Sequence, residues 1–201
     1  AIMQDLRAGG EQLGGPRPFA AADRSRFLQA LHEAIVRLQR RAQMFWIHSP
    51  EPGRLAIAPR PHGGEWLDQE IARWRADGID RGRILRYPHE VRELELEGEA
   101  QACASAGLAF LSFPILDRGV PDSVGRTREV VALCRDRLRE GQSLLLHCHG
   151  GIGRSSIMAA CILAALGIEP HSAFERIEKA RGQKVPDTAD QRQWAEAVTM
   201  R

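Results

Sequence analysis

The segment from His147 to Ser156 contains residue types at a spacing that could carry out covalent chemistry. Its sequence is His-Cys-His-Gly-Gly-Ile-Gly-Arg-Ser-Ser, between apolar runs that predict a buried strand and then a helix. A glycine-rich turn from strand to helix directs backbone N–H groups inward at the positive end of the helix dipole, which suits a phosphate group. The same field stabilises a thiolate, so Cys148 is the candidate nucleophile. Arg154 offers a planar fork for two phosphoryl oxygens.

A second segment could supply the proton that this chemistry needs. Attack of a thiolate on phosphorus gives a phosphocysteine that water hydrolyses, and the leaving oxygen requires a general acid. Residues 113–122, Phe-Pro-Ile-Leu-Asp-Arg-Gly-Val-Pro-Asp, follow a predicted strand, and their glycine and prolines suit a hinged loop. We expect Asp117 to be the acid and base, with Asp122 as the alternative. The hydroxyl of Ser155 could ease departure of the sulfur.

The pattern Cys148-x5-Arg154-Ser155, preceded by His147, resembles the signature of the cysteine-dependent protein tyrosine phosphatases. The upstream Pro-Ile-x-Asp-x-Gly-x-Pro-Asp loop is similar to that of the dual-specificity class, and within it to the kinase-associated phosphatase subgroup and its bacterial relatives. The similarity covers about residues 44–200 and is strongest over 109–166. It implies an α/β fold of the (phosphotyrosine protein phosphatase)-like type, with a mostly parallel central β-sheet flanked by helices on both faces.

The resemblance implies the same four catalytic residues and adds others around them. His147 would orient the loop. Gln191 matches a glutamine that lines the site in the subgroup and helps to place the water, whereas Asp187 stands where the subgroup often has another glutamine. The resemblance implies no metal and no organic cofactor. The cradle that binds the substrate's phosphate would be formed by the backbone of His149, Gly150, Gly151, Ile152 and Gly153.

The elements that must position these residues follow from the spacing of apolar side chains. Alternating strands and helices predict a mostly parallel sheet covered on both faces. The segment 80–87 contains three arginines and a glycine where this fold needs a buried strand, which leaves the register of the sheet open there. The predicted strands are 44–47, 54–58, 109–113 and 143–147, and the predicted helices after residue 65 include 90–107, 123–140, 154–166, 170–181 and 188–199.

Two regions are expected along the chain. Residues 1–43 form an N-terminal extension, in which a lead-in rich in glycine and proline precedes an amphipathic helix over 20–43. Residues 44–201 form the phosphatase-like domain. The helix lies outside the minimal domain of the family and is expected to pack on its own domain or on a partner.

Composition narrows the function classes. The chain has 201 residues, of which 43% are hydrophobic, so it can bury a core, and disordered, collagen-like and disulfide-scaffold classes are excluded. Its 28 basic and 26 acidic residues give a net charge of +2, too small for a general nucleic-acid surface. The sequence contains no apolar run of about 18 residues and begins with no apolar signal segment. We therefore expect a cytoplasmic protein that binds neither nucleic acid nor membrane.

The remaining cysteines are expected to be structural. Cys103, Cys134 and Cys161 lie in apolar surroundings, and the spacing of the four cysteines fits neither a zinc cluster nor a disulfide framework.

The leading hypothesis is a phosphatase that acts on phosphotyrosine in proteins, and on phosphoserine and phosphothreonine if the site is shallow. One alternative is a phosphatase of a non-protein ester, such as a phosphoinositide or an RNA 5′-phosphate, although the cradle lacks the lysines that such polyanions favour. Another is a phosphopeptide-binding module with little activity, although both its cysteine and its arginine are present. Arsenate reduction is disfavoured because Cys148 lies far from the N-terminus and no redox cysteines lie nearby.

Overall fold

The structure is a computed structural model that describes residues 25–32, 42–84 and 88–199. The chain comprises two compact units, Ala1–Arg40 and Arg41–Arg201. In the first unit, residues 25–32 form helix α1. Of the predicted helix 20–43, residues 25–32 are helical and residues 42 and 43 are not, whereas 20–24 and 33–41 lie outside the described residues. The N-terminal extension, 1–43, and the domain 44–201 stay predictions.

The second unit is built on one five-stranded sheet. Its strands are β1 (Phe45–Ile47), β2 (Leu55–Ala58), β3 (Arg81–Ile84), β4 (Ala109–Ser112) and β5 (Leu144–His147), in the order β1-β2-β5-β3-β4. The edge strand β1 is antiparallel to β2, and all other neighbours are parallel. Strand β5 is buried along its whole length, which explains its continuous apolar run without alternation. The predicted mostly parallel sheet is confirmed.

Among the described residues of this unit, seven α-helices cover the sheet. They are α2 (Leu67–Ala76), α3 (Pro88–Glu93), α4 (Glu99–Ser105), α5 (Val124–Arg139), α6 (Arg154–Ala165), α7 (Pro170–Arg181) and α8 (Ala189–Thr199). Side chains of α2 and α4 pack with Leu145 in one apolar cluster, whereas those of α5 to α8 pack with Leu144 and Leu146 in another. Because successive side chains of a strand point to opposite faces, β5 contributes to both clusters. Helices therefore cover both faces, as predicted. Within the described residues, none of the helices is long and apolar enough to span a membrane.

The predicted helix over 90–107 is wrong, because the chain forms two short helices there. Between α3 and α4, Glu95 has a φ of +54°, a conformation that a right-handed helix cannot contain. The carbonyl of Glu95 accepts a hydrogen bond from the N–H of Gly64, 3.0 Å away, so the break is held by a distant loop. Apolar periodicity alone does not reveal such a contact.

Polar contacts fix the arginine-rich strand β3. The carboxylate of Asp80 accepts a hydrogen bond from the N–H of Ser143 at 2.9 Å, and Nε of Arg81 donates to Gln142. The bond from Ser143 holds the pKa of Asp80 below its ordinary value, against the opposing effect of burial. These contacts at the start of β3 and β5 set Arg81 opposite Leu144. The register that the sequence left open is thus decided by side-chain and backbone bonds rather than by apolar patterning.

Candidate active site

The predicted site residues meet at one edge of the sheet. Cys148 follows β5 directly, the loop with Asp117 follows β4, and α3 comes after β3. Parallel strands end at the same edge, and ligands of open α/β sheets bind in the crevice outside the carboxyl ends of the strands. Segments far apart in sequence therefore converge on the loop after β5.

The loop after β5 is held from the outside through its carbonyl groups. The carbonyl of His149 accepts a bond from the N–H of Arg60 at 3.1 Å. The carbonyls of Gly150 and Gly151 accept bonds from Nη2 and Nε of Arg181, at 2.9 and 3.1 Å. In a planar trans peptide the N–H points away from the carbonyl, so the following N–H groups face the opposite side. The N–H groups of this loop therefore face away from Arg60 and Arg181, as the predicted anion-binding cradle requires.

Close approach explains the glycine at position 151. Its φ is +67°, and a Cβ there would lie 2.6 Å from the backbone carbon of Ala58. At Gly150, by contrast, a Cβ would make only ordinary contacts with Ile152, 3.5 Å away. The cradle therefore packs directly against the end of β2, and only glycine fits at 151.

Cys148 lies at the base of this cradle with only 3% of its surface exposed. Its Sγ is 3.5 Å from Oγ of Ser155, a buried residue in the first turn of α6. The other three cysteines are also buried, and none of the four forms a disulfide. Burial raises the pKa of Cys103 and of Cys161 to about 12, so these thiols stay protonated at neutral pH.

Arg154 is buried and fully engaged by carboxylates. Its Nη1 donates to both carboxylate oxygens of Glu90, at 3.0 and 2.7 Å, and its Nη2 donates to Oε1 at 3.0 Å. Nη1 also donates to the carbonyl of Ile115. Burial opposes the charged guanidinium, but the bonds to Glu90 and the charges of Cys148, Glu90 and Asp117 hold the pKa of Arg154 above its ordinary value. The sequence analysis did not find Glu90, which is one of several glutamates in its segment.

Asp117 also contacts this guanidinium. Its Oδ1 is 2.8 Å from Nη2 of Arg154, although 63% of the Asp117 side chain is exposed. The structure thus places on the arginine the loop carboxylate that the sequence analysis preferred over Asp122. The exposed carboxylate of Asp117 thus lies on the same guanidinium that the sequence predicts to bind a phosphate.

His147 is buried behind the cradle in a pair with Glu99. Its Nε2 is 2.6 Å from Oε1 of Glu99, and both side chains are almost fully buried. The ring of Trp74 lies 5.3 Å from the imidazole ring, centroid to centroid. Glu99 was not predicted from the sequence. It lies four residues before the buried Cys103 on the same helix, and this spacing places both side chains on the face that packs on the core. Among the described residues, no group of three or more His, Cys, Asp and Glu side chains could hold a metal ion.

Gln191 is fully buried and connects α8 to the loop of Asp117. Its Nε2 donates to the carbonyl of Gly119 at 2.8 Å. Its Oε1 and the carboxylate of Asp187 both lie beside Gly153, where a Cβ would collide with the carboxylate. The structure therefore brings Gln191 and Asp187 to the cradle, and Gln191 is not a solvated helix residue.

Comparisons with known proteins match these features. Residues 70–168 match the family described as polymorphic toxin system, DSP-PTPase phosphatase. The chain is 35% identical to cyclin-dependent kinase inhibitor 3 of Homo sapiens over 113 residues, which is 55% of this chain and 50% of that protein. The chain thus spans about half the length of this relative. A separate match of 68% identity over 41 residues relates 20% of the chain to 27% of a UPF0178 protein of Sphingopyxis alaskensis.

Solved structures show the same fold. A kinase-associated phosphatase whose catalytic-site cysteine is replaced by serine is similar with a TM-score of 0.70 at 21% identity, covering 78% of this chain and 93% of that one. Tk-PTP in its active form is similar with a TM-score of 0.58 at 25% identity, covering 74% of this chain and 93% of that one. Residues 70–168 thus match a dual-specificity phosphatase family, and the fold of the chain resembles that of the kinase-associated phosphatase.

Proposed function

We propose that this chain hydrolyses phosphotyrosine in proteins, together with phosphoserine and phosphothreonine, through a phosphocysteine intermediate. One observation carries the proposal: the Cys148 thiol lies at the base of an N–H cradle, and Arg154 at the end of that cradle contacts Asp117. The proposed nucleophile and anion clamp come from the segment 147–156, and the proposed proton donor comes from a second segment, 113–122.

The proposed reaction has two steps. The thiolate of Cys148 attacks phosphorus, the ester P–O bond breaks, and the carboxylic acid of Asp117 gives its proton to the leaving oxygen. Water then attacks phosphorus and gives a proton to the Asp117 carboxylate, while the S–P bond breaks and the hydroxyl of Ser155 stabilises the departing thiolate. Throughout, the cradle N–H groups and Arg154 bind the non-bridging oxygens, where negative charge is concentrated.

The second step also requires a positioned water molecule. Gln191 is the proposed positioning group, because its buried amide spans from the acid loop to Gly153 of the cradle. Asp187 lies beside the same glycine and would present a carboxylate on that side of the water. His147 is proposed to orient the loop through its buried pair with Glu99.

Charge near the cradle supports a protein substrate rather than a polyanionic one. Residues 88–99 contain five glutamates and one arginine, and α3 within this segment contacts Arg154 through Glu90. Such a segment would repel a phosphoinositide or an RNA end more strongly than a single phosphate on a protein. The similarity to a kinase-associated phosphatase also favours a phosphoprotein. None of the four cysteines forms a disulfide, and we therefore place the activity in a reducing compartment, the cytoplasm.

The test is turnover of an aryl phosphate by the wild type and by Cys148→Ser, with Cys161→Ser as the control for loss of a buried thiol. We expect no detectable turnover with Cys148→Ser and normal turnover with Cys161→Ser. Rapid acid quenching of the wild type with a radiolabelled substrate should trap the label on Cys148. Turnover that persists in Cys148→Ser would exclude the thiolate mechanism.

A substrate panel tests the class of phosphate ester. Phosphotyrosine, phosphoserine and phosphothreonine peptides are compared with phosphoinositides and with an RNA 5′-phosphate at equal concentration. We expect the highest kcat/KM with a phosphotyrosine peptide. Faster hydrolysis of a phosphoinositide or of the RNA end would replace the proposed protein substrate with that ester.

A further inference from the structure

A cavity lies next to the proposed phosphate site. It has a volume of about 380 Å³ and is formed by α3, the start of α4 and the edge strand β4. Its walls are largely apolar, with Val91, Leu96 and Phe110 among them. This volume falls within the range of about 300–1,000 Å³ found for ligand sites.

The cavity and the cradle share two structural elements. Helix α3 presents Glu90 to Arg154, while Pro88 and Val91 of the same helix line the cavity. Pro114 lines the cavity from the loop that carries Asp117. Since a helix is about 10–12 Å wide with its side chains, a group in the cavity lies about one helix diameter from the phosphate.

Two glutamates line this cavity. Glu97 is exposed and forms no ion pair with another described residue. Glu99 also lines it, is almost fully buried, and has an Oε2 atom with no hydrogen-bond partner among the described residues. Arg92 supplies one opposing positive charge.

From this arrangement we propose that the cavity binds the side chain of an arginine or lysine that flanks the phosphorylated residue of the substrate. The aliphatic stem of such a side chain would pack on Val91, Leu96 and Phe110, and its cationic end would meet the carboxylates of Glu97 and Glu99. Long basic side chains combine apolar stems with charged ends in this way. The inference rests on the proposed protein phosphatase function and adds a sequence preference to it.

The geometry also limits the position of the basic residue. An extended peptide advances about 3.3–3.6 Å per residue, so one helix diameter corresponds to roughly three residues. The basic residue is therefore expected within three positions of the phosphorylated one. Acidic residues at the same position should weaken binding, because they would meet the carboxylates of Glu97 and Glu99 in a partly desolvated cavity.

The experiment is a peptide scan with the full chain. Each phosphotyrosine peptide carries a single arginine at one of the three positions on either side of the phosphotyrosine. Each is compared with the same peptide in which citrulline, the neutral isostere, replaces the arginine. We expect one position at which arginine raises kcat/KM about tenfold over citrulline, mainly through a lower KM. Direct titration of fluorescent versions of the same peptides into Cys148→Ser gives an independent measure of binding.

Matched variants locate the effect. Ala100→Leu fills the cavity, because Ala100 lines it, whereas Ala104→Leu changes an exposed alanine of the same helix outside the cavity. Glu97→Gln removes a lining carboxylate, whereas Glu129→Gln removes an exposed one on α5. The kcat/KM for the arginine peptide divided by that for the citrulline peptide should fall to about 1 in Ala100→Leu. It should also fall in Glu97→Gln and stay unchanged in both controls.

The outcomes separate this inference from the proposed function. If the aryl phosphate is hydrolysed but no position prefers arginine, the cavity is not a basic subsite and the phosphatase proposal stands. A preference that survives both Ala100→Leu and Glu97→Gln, or a preference for acidic residues, would also overturn the inference. If the aryl phosphate is not hydrolysed, the proposed function fails and the titrations alone test the basic subsite. Equal affinity for the arginine and citrulline peptides would then overturn the inference.

Discussion

Asp117 and Arg154 form an ion pair, with 2.8 Å between Oδ1 and Nη2. The side chain proposed to donate a proton is thus bound, as a carboxylate, to the side chain proposed to bind phosphate. A phosphate dianion must compete with Asp117 for this guanidinium.

Asp117→Asn should therefore separate chemistry from binding. Loss of the general acid is expected to lower kcat about 10²- to 10⁴-fold. Loss of the competing carboxylate should leave the affinity for inorganic phosphate equal to or tighter than that of the wild type, measured as an inhibition constant against an aryl phosphate. Asp122→Asn is the control. If Asp122→Asn loses the activity and Asp117→Asn keeps it, the acid has been assigned to the wrong residue.

Glu90→Gln should weaken substrate binding. The guanidinium of Arg154 is buried and donates three hydrogen bonds to the Glu90 carboxylate. Loss of that negative charge leaves the buried positive charge of Arg154 less well neutralised and its position less well defined. We expect kcat/KM for an aryl phosphate to fall about tenfold or more, with a higher KM and a lower melting temperature. Glu129→Gln, a substitution of an exposed residue on α5, should change none of these three quantities. An unaltered KM in Glu90→Gln would contradict a role for Glu90 in holding Arg154.

Two neighbouring glycines give a matched pair of variants. Gly151→Ala forces a Cβ to within 2.6 Å of the Ala58 backbone at a positive φ, so we expect loss of turnover and a stability loss of at least about 1–3 kcal/mol. Gly150→Ala meets only Ile152 at 3.5 Å and should be tolerated much better. Urea unfolding and aryl phosphate turnover of both variants measure the difference. Equal behaviour of the two would show that the cradle does not pack against β2 in this way.

Arg181→Gln should disturb the cradle rather than the fold. Arg181 donates to the carbonyls of Gly150 and Gly151 and stacks on the ring of Phe45 at 4.1 Å. Burial lowers its pKa, while the nearby charge of Cys148 acts in the opposite direction. Without the Arg181 guanidinium the two carbonyl groups can rotate, so kcat/KM for an aryl phosphate should fall about tenfold. The free energy of unfolding should fall by only about 1 kcal/mol. Arg176→Gln on the same helix is the control, and similar activity of the two variants would exclude the positioning role.

The buried pair of His147 and Glu99 should show strong coupling in stability. Removal of one partner by Glu99→Leu or by His147→Leu leaves a buried polar group alone and is expected to cost about 3–5 kcal/mol. Replacement of both by leucine should cost much less than the sum of the two. Urea denaturation of the four proteins in this cycle gives the coupling energy directly. Additive losses would indicate that the two side chains do not interact.

Local sequence patterns predicted much of this protein. The apolar run before Cys148, the glycines after it and the apolar helix that begins at Arg154 are contiguous, so the cradle follows from neighbouring residues. Four of the five strands and the last four helices were predicted to within one or two residues, because apolar spacing within a segment indicates which face is buried. The exceptions were the predicted helix 90–107 and the register of β3, where contacts with distant loops decide.

The carboxylates around the cradle could not be predicted in the same way. Glu90 is one of five glutamates in residues 88–99, and its bond to Arg154 joins positions 64 residues apart. Glu99 belongs to the same stretch, yet it is buried against His147 and not exposed like Glu93. Their neighbours in the sequence look alike, so only the path of the chain distinguishes them.

The sequence by itself determined the chemistry that this chain can offer, since a thiol, a guanidinium and glycine-rich backbone within eight residues form one local unit. The tertiary structure decided how that unit is charged and held. Arg154 is compensated by Glu90 and Asp117, and the loop carbonyls are bound by Arg181 and Arg60. The physical reason is that burial of a charge or of a backbone carbonyl requires a partner, and in a sheet of parallel strands that partner comes from whichever segment ends at the same edge.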